Sequence, residues 1–164
     1  MNKTLLTRRR FFTVLIVVAS LILLAVFVYR PNIRAYRQAL LVEAAFRGNV
    51  GRIKVLLAVG ANSDEPSCQS YLCLSPIVAA SWTGNLDGVR LLLDRGAHVN
   101  GTLQRGQTAL MVASHNGHTE VVKLLLLRGA NVNADSEGET ALMWARQQRH
   151  TDIADLLVKA GAAR

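Results

Sequence analysis

With 164 residues, 51% of them hydrophobic, the chain is too apolar for general disorder and long enough for one domain with an appendage. Its net charge of +8 suggests a nucleic-acid partner only until the charge is located. Residues 1–37 hold Lys3, Arg8, Arg9, Arg10, Arg30, Arg34 and Arg37 and no acid, whereas residues 38–164 set 12 basic against 11 acidic side chains. A nucleic-acid binder needs a basic stripe on its folded part, and the near-neutral remainder excludes that class.

The first predicted element is a membrane anchor over residues 11–29, FFTVLIVVASLILLAVFVY, a stretch without a charge. As a helix it spans about 28 Å, close to the ~30 Å hydrocarbon core of a bilayer. Residues 1–10 form a basic flank, Arg30 closes the other end, Tyr29 sits at interfacial depth, and Pro31 discourages continuation into the 30–37 linker. A cleaved signal peptide ending near Val17-Val18-Ala19 is the competing reading, and it leaves residues 21–28 as a bare apolar stub. The stretch Thr7-Arg8-Arg9-Arg10-Phe11-Phe12 resembles a bacterial twin-arginine export signal. The slight excess of cations on the N-terminal side favours a cytoplasmic N-terminus, with the rest of the chain in the periplasm or outside.

The remainder, 38–164, divides into units of about 38–64, 65–100, 101–133 and 134–164. Gly60-Ala61, Gly96-Ala97, Gly129-Ala130 and Gly161-Ala162 mark equivalent points, separated by 36, 33 and 32 residues. Gly48, Gly84 and Gly117 recur upstream of them, with Arg149 where a fourth glycine would fall. In the second to fourth units a first helix starts at a capping residue, Ser75 before Pro76, then Thr108 and Thr140, whereas the first unit has Ala39-Leu40 in that place. The glycine, where φ > 0 is wanted, ends it. A second helix follows with apolar residues at i, i+3 and i+4: Ile53/Leu56/Leu57, Val89/Leu92/Leu93, Val122/Leu125/Leu126 and Ala154/Leu157/Val158. Ala44, Ala80, Ala113 and Ala145 let helices approach closely. One unit cannot cover its own apolar stripe, but stacked units can.

The stretch Gly106-x-Thr108-Ala109-Leu110, Ala113, Asn116-Gly117-His118, Val121-Val122, Leu125-Leu126 and Gly129-Ala130-Asn131-Val132-Asn133 resembles the ankyrin repeat. The resemblance covers roughly residues 38–162. It implies an all-α fold: an ankyrin-repeat solenoid of four helix-pair units with β-hairpin fingers, here preceded by one transmembrane helix. It further implies that His118 and His150 hydrogen-bond between units, that His98 lies on a hairpin strand, and that recognition uses a concave face of fingers and first helices. Carried over position by position, the partner-binding residues are Phe46, Trp82, His115 and Gln147 on the first helices, with Asn116 beside them, and Tyr71, Leu72, Gln104 and Arg105 on the fingers. Arg149 in a glycine slot leaves the end of the last first helix open.

The first-to-second connection, DEPSCQSYLCLSP, is longer than its counterparts and holds both cysteines. In an oxidising compartment Cys68 and Cys73 can close a small loop; two unlinked thiols are the other state. No nucleophile–base–acid set, metal-ligand cluster or phosphate loop is legible, so neither enzyme activity, cofactor, metal nor small-molecule substrate is expected. Asp87, Glu120 and Asp152 start second helices, where the helix dipole favours them. The expectation is a single-pass membrane protein, touching the lipid bilayer through 11–29, whose repeats bind a protein partner. A cytosol-facing tethered scaffold and a structural spacer are the alternatives.

Overall fold

The computed structural model describes residues 33–69, 72–103 and 105–163. The basic flank and the apolar run at 11–29 lie outside them, and among the described residues no helix is long and apolar enough to cross a membrane. The chain divides into two compact units, Met1–Tyr36 and Arg37–Arg164, and the repeats belong to the second.

Helix follows helix in pairs. Helix α1 is described over residues 33–46 and pairs with α2 (Val50–Ala58). Then come α3 (Pro76–Trp82) with α4 (Leu86–Asp94), α5 (Ala109–His115) with α6 (Thr119–Leu127), and α7 (Ala141–Gln147) with α8 (Thr151–Lys159). First helices pack on first helices, α3 on α5 and α5 on α7, while α2, α4, α6 and α8 make a second layer. The shared core is aliphatic. Ala44, Ala80, Ala113 and Ala145 are all buried where the helices meet, and Ile53, Val89, Leu92, Val122, Leu125 and Leu157 bury the second-helix stripes against them. In the last pair the stripe shifts: Ile153 is buried in place of the partly exposed Ala154.

The turns follow from backbone conformation. Thr108 and Thr140 cap α5 and α7 as expected, accepting from the Met111 and Met143 amides at 3.3 and 3.4 Å. Ser75 differs. It occupies the cap position of α3 with an extended backbone, but its hydroxyl makes no capping bond and is buried without a hydrogen-bond partner. It points instead at Gly101, where a Cβ would meet the Ser75 Oγ at 3.4 Å and Ile77 at 3.1 Å. Gly117 ends α5 with φ +77°, and a Cβ on it would lie 2.7 Å from the His150 ring. Arg149 takes the same backbone conformation as the glycines, with φ +61°, so the helix end survives the substitution at the cost of left-handed strain.

Side chains bridge neighbouring pairs where helices cannot. His118 Nε2 donates to the Trp82 carbonyl at 2.9 Å, and His150 Nε2 to the His115 carbonyl at 3.1 Å. A carbonyl only accepts, so both rings carry their proton on Nε2 in these bonds. Asn85 has the equivalent role in the preceding pair, donating to the Ala45 carbonyl at 3.3 Å. Below, Ser63 donates to the Arg95 carbonyl, and Asn100 accepts from the Asn131 amide. His98 lies in the loop after α4 and not on a strand; its amide donates to Asp64 at 2.9 Å, which holds this stretch against the preceding loop.

The fingers differ in regularity. Strands β1 (Ser67–Gln69) and β2 (Leu72–Leu74) pair antiparallel with Cys68 opposite Cys73, and the two are joined by a disulfide. The next finger makes only an isolated bridge between Thr102 and Thr108. The last closes β3 (Asp135–Ser136) on β4 (Glu139–Thr140).

Two outcomes follow. Arg149→Gly relieves the left-handed strain and raises unfolding stability by about 1 kcal/mol in a urea titration, whereas Gly117→Ala lowers it by more than about 1 kcal/mol; a neutral Gly117→Ala would mean that the His150 ring does not abut this turn. Iodoacetamide applied to the native protein labels neither Cys68 nor Cys73 until a reductant is added.

Candidate interaction site

The last residues of α3, α5 and α7 share one cavity with Gln107 and Glu139 from the stretches that lead into α5 and α7. Trp82 ends α3, His115 ends α5 and Gln147 ends α7, so equivalent helix positions place three different side chains in a row. Trp82, His115, Asn116 and Gln147 all line one cavity of about 260 Å³. Gln107, Val112, Glu139 and Trp144 complete its wall. Trp82 is 46% exposed in spite of its size.

Local structure orients the wall. The Trp144 indole Nε1 donates to Glu139 Oε2 at 2.7 Å, tying the end of the last finger to the helix it leads into. The ring of His115 meets Trp144 edge to face, with centroids 5.3 Å apart and planes at 69°, a favourable arrangement for aromatic quadrupoles. The His115 carbonyl is meanwhile held by His150, so the backbone beneath this contact is fixed from the next pair. The Asn116 side chain donates one of its two amide N–H groups to the Val112 carbonyl at 3.0 Å, which anchors the carboxamide in the wall. The floor is Val112, buried in the core.

Four of the residues expected from sequence therefore come together, and others do not. Phe46 is exposed at the end of α1 but does not line the cavity. Arg105 is exposed on its finger and does not reach it either; its carbonyl accepts from the Ser136 hydroxyl at 2.6 Å, linking two fingers. Leu72 is in β2, while Tyr71 and Gln104 fall outside the described residues. Sequence reasoning missed Trp144 and Val112 as site residues and gave Glu139 no partner. The signal was present: Trp144 precedes Gln147 by three positions, which puts both on one helix face.

Among the described residues no group of three or more His, Cys, Asp or Glu side chains is placed to hold a metal ion. The arrangement offers aromatic surface, amide hydrogen-bonding groups and one carboxylate, which suits binding.

A family model described as ankyrin repeats (3 copies) matches residues 77–163. No curated protein matches the chain. The match begins in α3 and takes in every later helix pair, while the first pair lies ahead of it with the same turns: Gly48 at φ +71° and Gly60 at φ +90°. With the matched segment covering more than half of its length, the chain belongs to the ankyrin-repeat family.

Proposed function

We propose that this protein is a single-pass membrane protein whose ankyrin repeats bind a protein partner through the face formed by the ends of the first helices and the fingers. One observation carries the recognition half of this reading. The chain has two tryptophans, and both line the same open cavity on that face. Tryptophan is enriched at binding hot spots; Trp82 stands exposed, and Trp144, packed partly against the core, is not fully buried. Repeats of this family suggest an interaction module and typically a scaffold without enzymatic activity.

The uncharged run at residues 11–29, with its basic flanks, supports anchoring. Its slight excess of cations on the N-terminal side and the Cys68–Cys73 disulfide both favour the periplasmic or extracytoplasmic side for the repeats. The anchor then confines the interaction face to one membrane surface, and the repeats choose what is held there.

Two measurements test this. Trp82→Ala combined with His115→Ala abolishes co-purification of the partner from solubilised membranes, whereas Leu127→Ala, on the second-helix layer and 82% exposed, leaves it intact; a loss of about 2 kcal/mol or more is expected of hot-spot truncation. Capture that is indifferent to the double substitution would refute the interaction face. A topology reporter fused after Arg164 is active on the far side of the membrane from the N-terminus; activity in the cytosol would replace the exported form with the tethered cytosolic scaffold.

A further inference from the structure

We propose that the cavity between Trp82 and Trp144 is a socket for a single cationic side chain, an arginine or lysine presented by an exposed basic segment of the partner. The proposal rests on the interaction face described above and gives its ligand a chemistry.

Size comes first. At about 260 Å³ the cavity falls below the ~300–1,000 Å³ typical of sites for drug-sized ligands. It matches one long side chain better than a metabolite. Its walls are of two kinds. The two indoles and Val112 offer apolar and π surface, against which the methylene stem of a long side chain can lie. At the finger end stands Glu139, and among the described residues it is the only carboxylate in the lining and no lysine or arginine lines the cavity.

The state of Glu139 is what specifies charge. Its Oε2 accepts the Trp144 indole N–H, which holds the carboxylate at the rim beside the ring. Among the described residues no cation pairs with it. A fixed carboxylate next to indole surface is complementary to a cation twice over, through the negative face of the ring and through a charge-assisted hydrogen bond. The same finger exposes Asp135 and Glu137, which extend the negative field outward and favour approach of a basic segment. Arg105 and Arg146 lie on the neighbouring finger and on α7 but do not line the cavity. Beside the His115 ring, the lining amides of Gln107, Asn116 and Gln147 can accept from a guanidinium or ammonium without competing for its charge.

An apolar anchor of the partner would be the obvious alternative occupant. It would leave the Glu139 charge facing a desolvated contact with the indole hydrogen bond but no counter-charge, which is costly. An acidic occupant would meet Glu139 directly.

The two tryptophans make the cavity its own reporter, since no other residue contributes indole fluorescence. Full-length protein in non-ionic detergent is titrated with hexaarginine, and with hexaglutamine and hexaglutamate as controls. Hexaarginine shifts the indole emission saturably, and the controls leave it unchanged. Glu139→Gln weakens hexaarginine about tenfold, the size of one charge-assisted hydrogen bond. Glu137→Gln, on the same finger but outside the lining, weakens it less than about twofold. Circular dichroism melting confirms that both variants fold. An equal response to hexaglutamine, equal losses in the two variants, or no response to hexaarginine each overturns the socket. The titration needs no partner. Its failure therefore leaves Trp82-dependent capture standing, and a failure of capture leaves Glu139-dependent peptide binding still measurable.

Discussion

Each helix pair has an apolar side that its own two helices cannot cover, and the molecule is organised around the need to cover it with the next pair. The alanines at 44, 80, 113 and 145 are the contact points of that stacking. A larger side chain there would push neighbouring pairs apart and open cavities beside Val89, Val122 and Leu157, each well within the shared core. The histidine bridges have the same logic in polar form. The carbonyls of Trp82 and His115 end helices without an intrahelical donor, and the ring of the next pair supplies one. The glycine that each of these rings faces, Gly84 for His118 and Gly117 for His150, is then required twice, by its backbone angle and by the ring packed against it. Stacking, turn geometry and hydrogen bonding thus converge on the same few positions, which is why they recur at a fixed interval.

That convergence leaves other positions free. The final residue of the first helices is Phe46, Trp82, His115 and Gln147 in successive pairs, four unrelated side chains at one structural address. Of these side chains only the His115 ring makes an aromatic contact with the next pair, at Trp144. The fingers are similarly independent: one carries a disulfide, one a single bridge and one a short acidic hairpin. A repeated frame that fixes backbone direction and leaves side-chain identity open is suited to recognition, because the surface can be altered residue by residue without disturbing the core.

The repeated features were legible in the sequence because they are enforced in every copy. The interval between Gly-Ala pairs, the threonine caps and the histidine bridges each follow from a local rule applied several times over. What escaped is what happens once. Ser75 looks like a cap, and the close approach of Gly101 turns its hydroxyl elsewhere. Arg149 breaks the glycine pattern, yet the packing on either side is sufficient to hold a non-glycine residue at φ +61°. Ile153 is buried in the last pair, as Val121 is in the third, while Ala154 at the repeated stripe position is only partly so. The cavity wall was half legible. Trp82, His115, Asn116 and Gln147 occupy repeated slots, but Glu139 and Trp144 meet through a hydrogen bond across the finger-to-helix junction, and a five-residue separation signals neither strand nor helix pairing.

The distribution of aromatic side chains separates the two demands on this chain. Among the described residues the core contains leucine, isoleucine, valine, alanine and methionine, and no phenylalanine, tyrosine or tryptophan. Thin layers of stacked helices leave room for aliphatic residues between close-set backbones, and large rings would force the pairs apart. The exposed rings of Phe46 and Trp82 consequently cannot be accounted for as core that strayed outward. Phe46 and Trp82 stand exposed at first-helix ends, and Trp144 is only partly buried, with its indole N–H engaged by a finger carboxylate. Exposed aromatic surface costs solvation while it remains uncovered. Its concentration beside fixed polar groups, on a frame that does not need it for stability, is the physical mark of a surface that another molecule covers.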